Sequence, residues 1–295
     1  MQHLNNIIPD SNDFRSVARA LTIVENDLDG ADELLKSLSF TKRCPVIGIT
    51  GPPGAGKSTL VNALITHLIT GGKKIAVLAI DPTSPFNFGS LLGDRIRMAP
   101  HFNHSDVFIR SLATRGSLGG LSAKAIEMTD ILRAAGFDYI LVETVGVGQS
   151  EVEIAGLADI TLLVLVPESG DEIQNIKSGL MEIADAFIVN KGDRADADLF
   201  VNNLKKIQKS EAGLPVFKTI ASKDIGISDV IGFIQSKSSV TNTRKELLLA
   251  EKAYQIIRQK RMAGVDKKKL RQDIAEALKD ESFNLYVFLS EWLIG

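Results

Sequence analysis

The sequence predicts an α/β protein with a doubly wound, mostly parallel sheet and helical extensions at both ends. Between residues 45 and 220, short and nearly continuous apolar runs alternate with segments long enough to form helices. Strands that are apolar along their whole length are typical of a sheet covered by helices on both faces. Because a helix-length segment separates each strand from the next, the strands are expected to form right-handed βαβ units, in which neighbouring strands run parallel. The strand candidates are 45–50, 74–81, 107–112, 139–144, 160–167, 186–191 and 215–220.

The segments outside this region read as helices. From Phe14 to Leu38, apolar residues recur at spacings of three and four, which places them on one helical face. Asp29 and Gly30 interrupt this pattern and predict two helices rather than one. Residues 247–262 predict a helix with two apolar faces, of which one is available to face another subunit.

Composition excludes several functional classes. The chain has 295 residues, a net charge of -2 and a single cysteine, Cys44. It therefore carries no general basic surface for nucleic acid, and neither a disulfide framework nor a cysteine-rich zinc site forms within one chain. No apolar run is long enough to span a membrane, and the N-terminus lacks the pattern of a secretory signal. We expect a cytoplasmic protein without a nucleic-acid or membrane partner.

A phosphate-binding loop is the strongest motif. Residues 51–58 read GPPGAGKS, which matches G-x-x-x-x-G-K-S between a predicted strand and a predicted helix. Glycines let successive backbone N–H groups surround the phosphates, and the helix N-terminus adds positive charge. Lys57 is expected to reach the β- and γ-phosphates, and the Ser58 hydroxyl is expected to bind Mg²⁺. The fold predicted is therefore that of a P-loop NTPase.

A second motif selects the base. Asn190, Lys191 and Asp193 follow the strand candidate at 186–191, at the edge of the sheet where ligands collect. The Asp193 carboxylate can accept hydrogen bonds from N1–H and the 2-amino group of guanine. Adenine lacks both donors, so this carboxylate favours GTP and GDP over adenine nucleotides.

Acidic residues at strand ends predict a Mg²⁺ site. Asp81 and Glu143 each end a strand on the phosphate side of the sheet, and either can bind the ion directly or through its waters. Glu143 begins Glu-Thr-Val-Gly, in which the N–H of Gly146 is placed to contact the γ-phosphate. Asp94 lies in a polar connection that can fold over the metal as a nucleotide-state switch.

The sequence does not decide which residues assist hydrolysis. Gln149 is a candidate for orienting the attacking water, although it lies more than one step beyond Gly146. Arg110 and Arg115 are candidates for neutralising phosphate charge, and both are equally compatible with structural roles.

Several segments together resemble the MeaB/ArgK family of P-loop GTPases. They include GPPGAGKST, AIDPTSPFNFGSLLGDRIRM, DYILVETVGVGQSEVEI and the stretch from PESGDEIQNIKSG to IVNKGD. The resemblance implies a GTPase that accompanies an adenosylcobalamin-dependent acyl-CoA mutase, typically methylmalonyl-CoA mutase, gating cofactor loading and protecting that enzyme. It also implies a homodimer formed through a C-terminal helical arm. The base-contacting turn of the family falls at Ala221 and Ser222, where backbone N–H groups must supply any contact to guanine O6.

These inferences define the expected organisation and site. We expect an N-terminal helical extension over 1–40, a GTPase domain over 41–235 and a C-terminal helical arm over 236–295. The catalytic residues expected are Lys57, Glu143, Gly146 and Asp94, and the Mg²⁺ ligands expected are Ser58, Asp81, Asp94 and Glu143. The GTP contacts expected are Gly51, Pro52, Pro53, Gly54, Ala55, Gly56, Lys57, Ser58, Thr59, Asn190, Lys191, Asp193, Ala221 and Ser222.

The sequence does not exclude three other functions for a protein of this fold. A nickel-inserting GTPase is disfavoured because the chain has one cysteine and no histidine tract to carry metal. A P-loop kinase would need an acceptor pocket and would have no use for Asp193. A regulatory binding module with incidental hydrolysis is the third alternative. Comparing the binding of GTP and ATP separates the kinase from the GTPase.

Overall fold

The computed structural model describes residues 8–81, 98–113, 123–144, 154, 156–170, 183–208, 213–239, 245–262, 264–280 and 282–293. The predicted residues Asp94, Gly146, Gln149 and Arg115 lie outside these ranges, as does the side chain of Asp81. Residues 1–252 and 253–295 form two compact units. The predicted division at residues 40 and 235 stays a prediction.

Seven strands form one fully parallel sheet in the described part of the chain, as the sequence predicts. In the order of the sheet, β3 and β2 precede β4, β1 lies centrally, and β5, β6 and β7 follow. The strands are β1 (Val46–Thr50), β2 (Ile75–Asp81), β3 (Val107–Ala113), β4 (Tyr139–Thr144), β5 (Ile160–Leu165), β6 (Ala186–Val189) and β7 (Val216–Lys218).

Nine α-helices lie in the same described ranges. They are α1 (Phe14–Glu25), α2 (Ala31–Ser37), α3 (Lys57–Thr70), α4 (Ala123–Ala134), α5 (Ala197–Gln208), α6 (Ile227–Ser239), α7 (Lys245–Met262), α8 (Lys267–Ala277) and α9 (Leu285–Leu293). The predicted break between two N-terminal helices is confirmed, because α1 ends before Asp29 and Gly30 is the N-cap of α2. Within the described ranges, no helix has both the length and the apolar character that crossing a membrane requires.

Helices cover both faces of the sheet. Alternate side chains of a strand point to opposite faces. On one face, Ile47 and Ile49 of β1 join a core cluster with Leu64 of α3 and Ile234 of α6. On the other face, buried side chains of β5 and β6 pack against α5 in a second cluster. That cluster consists of Leu163, Leu165, Ala184, Phe187, Val189, Phe200, Val201 and Leu204.

The N-terminal helix belongs to the same unit as the sheet. The Phe14 ring of α1 lies 5.5 Å from the ring of Phe108 in β3 and 6.1 Å from that of Phe137. At the other end of α1, Glu25 pairs with Arg110 of β3 at 2.5 Å. Both ends of helix α1 therefore contact β3 of the sheet. Because all strands are parallel, their carboxyl ends share one edge, and the predicted site residues follow those ends.

Candidate nucleotide-binding site

The phosphate loop joins β1 to α3, and its backbone requires glycine. Gly51, Gly54 and Gly56 adopt φ values of +138°, +77° and +85°, which only glycine adopts without strain. A Cβ on Gly51 would lie 2.1 Å from the carbonyl oxygen of Val164 in β5, and one on Gly56 would lie 2.4 Å from Nδ2 of Asn190. The glycines thus allow both the turn and the close approach of neighbouring strands.

The Lys57 side chain contacts the backbone of the phosphate loop. The residue is buried, and its ammonium donates hydrogen bonds to the carbonyl oxygens of Gly51 at 2.8 Å and Pro52 at 2.9 Å. Lys57 is also the first residue of α3, so its charge adds to the positive end of the helix. The arrangement holds a cation where the motif requires phosphate to bind.

Two predicted Mg²⁺ ligands are in contact. The Ser58 hydroxyl at the start of α3 donates to Oε1 of Glu143 in β4 at 2.6 Å, and both residues are buried. A hydroxyl beside a carboxylate is a pair of hard oxygen donors of the kind that Mg²⁺ prefers. Asp81 ends β2 at the same edge of the sheet, two positions beyond Ala79, which is in register with Glu143. The residues therefore fit a Mg²⁺ site.

Asn190 connects the phosphate loop to the segment after β7. It is 3% exposed, and its Nδ2 donates to the carbonyl oxygen of Ala55 at 3.0 Å. Its Oδ1 accepts hydrogen bonds from the Ala221 N–H at 3.1 Å and from the Thr219 hydroxyl at 3.3 Å. One buried amide therefore fixes the two loops that are expected to hold the two ends of the nucleotide.

Asp193 projects from the turn after β6. Its side chain is 43% exposed, and Oδ2 accepts a hydrogen bond from the Lys223 ammonium at 3.0 Å. This hydrogen bond lowers the pKa of the Asp193 carboxyl. The carboxylate is therefore ionised and reachable, as an acceptor for guanine N1–H and the 2-amino group must be. The backbone of the turn is fixed by the Gly192 N–H, which donates to the carbonyl oxygen of Thr219 at 2.8 Å.

The structure shows contacts that the sequence reasoning missed. His67 of α3 lies 2.8 Å from both carboxylate oxygens of Asp224, so the helix of the phosphate loop is tied to the turn beyond Ala221. The Thr144 hydroxyl donates to that of Thr50 at 3.1 Å, linking the carboxyl ends of β4 and β1. No local pattern marks these pairs, because their members lie far apart in the chain. Of the arginine candidates, Arg110 is engaged by Glu25.

The parallel sheet, the phosphate loop before α3 and the Asn-Lys-x-Asp turn after β6 define a P-loop GTPase. Comparison with known proteins then identifies the family. The model of the family described as methylmalonyl Co-A mutase-associated GTPase MeaB matches residues 17–277. The chain belongs to this family, and it is a GTP-hydrolysing enzyme. The predicted family and fold class are thereby confirmed.

Individual relatives agree with this assignment. A Pyrococcus abyssi protein is 50% identical over 227 residues, which cover 74% of this chain and 70% of that protein. GTPase ArgK of Escherichia coli is 42% identical over 186 residues, covering 60% of this chain and 55% of ArgK. The mitochondrial methylmalonic aciduria type A homolog of Mus musculus is 43% identical over 155 residues, covering 52% of this chain and 37% of that protein.

Solved structures share the fold. The crystal structure of an LAO/AO transport system kinase has a TM-score of 0.68 and 25% identity, and the match covers 97% of this chain and 95% of that one. HypB from Helicobacter pylori, solved in complex with nickel, has a TM-score of 0.51 and 18% identity. The match covers 75% of this chain and 94% of HypB, and it supports the fold alone.

Proposed function

We propose that this protein is a Mg²⁺-dependent GTPase that acts as a chaperone for an adenosylcobalamin-dependent acyl-CoA mutase of the methylmalonyl-CoA type. The observation that carries the proposal is the family match over residues 17–277, because the family is described by its association with methylmalonyl-CoA mutase. The mouse relative is named for methylmalonic aciduria, which supports the same client. In this role the GTPase gates cofactor loading and protects the mutase, in the cytoplasm.

The proposed metal site uses four residues. Ser58 and Glu143, whose side chains are 2.6 Å apart, are two of its ligands. Asp81 and Asp94 are the other proposed ligands. When bound, Mg²⁺ neutralises charge on the β- and γ-phosphates. The Ser58 hydroxyl donates to Glu143, and its oxygen would also be available to the ion.

The proposed catalysis relies on positioning and charge. Lys57, whose ammonium lies at the phosphate loop, would pair with phosphate oxygens and stabilise the charge that develops in the transition state. The Gly146 N–H would contact the γ-phosphate, and Glu143 and Asp94 would hold the metal. Because no glutamine immediately follows Gly146 to orient water, the intrinsic rate is slow and leaves room for stimulation by a partner.

The proposed specificity for guanine resides in Asp193. Its carboxylate accepts from N1–H and the 2-amino group, and backbone N–H groups near Ala221 and Ser222 serve O6. The Asp193→Asn variant is expected to lose affinity for GTP by roughly 10- to 100-fold and to gain affinity for xanthosine triphosphate. Calorimetric titration of both nucleotides tests this, with Asp196→Asn, a substitution at an exposed residue three positions on, as the matched control. Equal GTP affinity in Asp193→Asn and wild type would refute the assignment.

A homodimer is proposed to form through the C-terminal helices. Tyr254 and Ile257 of α7 are 60% and 52% exposed, respectively. Large apolar side chains exposed on one helix are typical of a surface that binds another subunit. Sedimentation equilibrium of the full chain and of the Tyr254→Lys/Ile257→Lys double variant measures this. A dimer that dissociates in the variant supports the proposal, and a wild-type monomer at micromolar concentration contradicts it.

The client is tested by binding and by cofactor exchange. The full chain is mixed with the adenosylcobalamin-dependent mutase of the same organism, without nucleotide, with GDP and with a non-hydrolysable GTP analogue. We expect a complex whose affinity depends on the nucleotide, and a changed rate of cobalamin transfer to or release from the mutase. The absence of a complex in all three states, with cobalamin exchange unchanged, would remove the mutase from the proposal and leave the GTPase site intact.

A further inference from the structure

A cavity of about 640 Å³ lies at the amino ends of β1 and β5. Pro45 and Ile160, at the starts of these strands, line it together with residues of α4, α6 and α7. The phosphate loop follows the opposite end of β1. Five residues at about 3.3 Å each place it roughly 16 Å away. The volume is within the range of small-molecule sites, and the position is not that of the nucleotide.

Lys252 of α7 is the first of two unusual groups in the cavity wall. The residue is only 8% exposed. Among the described residues, neither a hydrogen bond nor an ion pair reaches its ammonium. Burial lowers the pKa of Lys252, and the nearby Arg133 lowers it further. A buried ammonium without a close acceptor is costly, and proteins normally supply such a group with a partner.

Arg133 of α4 is the second group. Its Nη2 donates to Oδ2 of Asp159 at 2.6 Å, and the same carboxylate oxygen accepts from the Val46 N–H at 2.8 Å. The Nε of Arg133 is buried and has no hydrogen-bond partner. The guanidinium is therefore held in a fixed orientation by Asp159, while part of its donor capacity is unused.

The acidic residues of the wall do not balance these cations. Asp159 is already engaged by Arg133 and by the backbone of β1. Burial raises the pKa of Asp130, which reduces its tendency to carry a negative charge beside Lys252. Another cation of the wall, Lys42, is paired outside this group with Asp138 at 2.9 Å. The donors of Lys252 and Arg133 are therefore not matched by acceptors in the wall. A ligand that binds here is expected to carry a negative charge.

The rest of the wall is apolar. Phe40 and Leu249 line the cavity and are about half exposed, at 59% and 51%. Together with Pro45 and Ile160 they form a surface that suits a hydrocarbon body rather than an inorganic ion. The two kinds of surface together define the chemical class of the ligand.

We propose that this cavity is a second ligand site, which binds a small organic anion. The carboxylate or phosphate of the ligand pairs with Lys252 and Arg133, and its apolar body lies against Leu249 and Phe40. Both headgroups supply the missing acceptors, and a charged hydrogen bond to a buried cation is strong in this environment. The site is independent of the proposed client and of the nucleotide.

The proposal is tested on the full chain with three probes of equal chain length: hexanoate, hexyl phosphate and the neutral hexanamide. Isothermal titration calorimetry in saturating GDP is expected to show one site for at least one anion and binding of hexanamide that is weaker by about tenfold or more. The better anion identifies the headgroup as carboxylate or phosphate. No binding of either anion at millimolar concentration in saturating GDP, or equal binding of hexanamide, would overturn the proposal.

A variant locates the site within the cavity. Lys252→Met keeps the length of the side chain and removes its charge. It is expected to lower the affinity for the tighter-binding anion by about tenfold or more. Lys237→Met is the control, because Lys237 also lines the cavity but is exposed and lies over the Phe233 ring. It is expected to weaken binding by less than about threefold. Equal affinities of Lys252→Met and wild type would overturn the proposal.

A measurement on the wild-type chain covers the case in which Lys252→Met does not fold. Cys44 lines the same cavity, and it is the only cysteine of the chain. The better anion is expected to slow alkylation of this thiol by iodoacetamide at pH 9 by about fivefold or more at saturation, while hexanamide at the same concentration does not. An alkylation rate that is unchanged by saturating anion would place the ligand elsewhere and overturn the proposal.

Discussion

Replacing Asn190 by alanine is expected to destabilise the protein and to weaken GTP binding together. The substitution removes the hydrogen bonds to Ala55, Ala221 and Thr219, whose donor–acceptor distances are 3.0, 3.1 and 3.3 Å. Each such bond contributes about 1 kcal/mol net, so the loss is about 2–4 kcal/mol. Because the surrounding groups are buried, water does not readily replace the amide. GTP affinity falls because the phosphate loop and the base-side turn are no longer held together.

Thermal unfolding followed by circular dichroism measures the first effect. For a domain of this size, about 2–4 kcal/mol lowers Tm by roughly 5–15 °C. Asn203→Ala is the matched control, since Asn203 is exposed on α5, and its stability is expected to stay within about 0.5 kcal/mol of wild type. Calorimetric titration with GTP measures the second effect. An Asn190→Ala variant with wild-type Tm and wild-type GTP affinity would refute the bridging role of this residue.

Three further predictions follow from the site and the core. Gly56→Ala is expected to impair folding and GTP binding more than Gly54→Ala. Both positions have positive φ, but only a Cβ on Gly56 would meet Asn190. Equal unfolding temperatures and equal GTP affinities of the two variants would contradict this. Lys57→Ala and Ser58→Ala are expected to reduce GTP hydrolysis by about 100-fold or more while leaving the fold intact, and phosphate release at wild-type rates would contradict it. Burial raises the pKa of the Cys44 thiol from its ordinary 9.0 to about 12, so the folded state retains a proton that the unfolded state releases. The stability that this proton contributes is fully present below about pH 9 and is lost as pH rises toward 12. Urea unfolding of wild type and Cys44→Ala across this range measures the difference, and parallel pH profiles would contradict the argument.

The sequence predicted the parts of the molecule that depend on local pattern. Short runs, most of them nearly continuous in apolar residues, located all seven strands of the described sheet, although β7 is shorter than its predicted run and covers only Val216–Lys218. The phosphate loop was recognised because the positions that need positive φ are glycines. The sequence placed both Ser58 and Glu143 at the phosphate edge of a parallel sheet, and the structure shows that their side chains are in contact there.

The remaining features depend on contacts between distant segments. His67 and Asp224 are separated by 157 residues, and no periodicity or spacing relates them. The same holds for Lys252 and Arg133, which lie on different helices and line one cavity only after the chain has folded. Asn190 was predicted as a base-recognition residue. Its buried hydrogen bonds to Ala55 and Ala221 required the structure. The roles of Asp94 and Gly146 stay predictions.

If the protein serves a mutase, that mutase should change the activity of the nucleotide site, and steady-state GTP turnover measures this. The rate is determined for the full chain alone and with a saturating amount of the adenosylcobalamin-dependent mutase from the same organism. The Lys57→Ala variant serves as the hydrolysis-deficient control. We expect the mutase to raise turnover of wild type by about tenfold or more, and to leave the variant near background. Turnover that is unchanged by the mutase at every concentration tested would contradict the proposed role of this protein as a partner of the mutase.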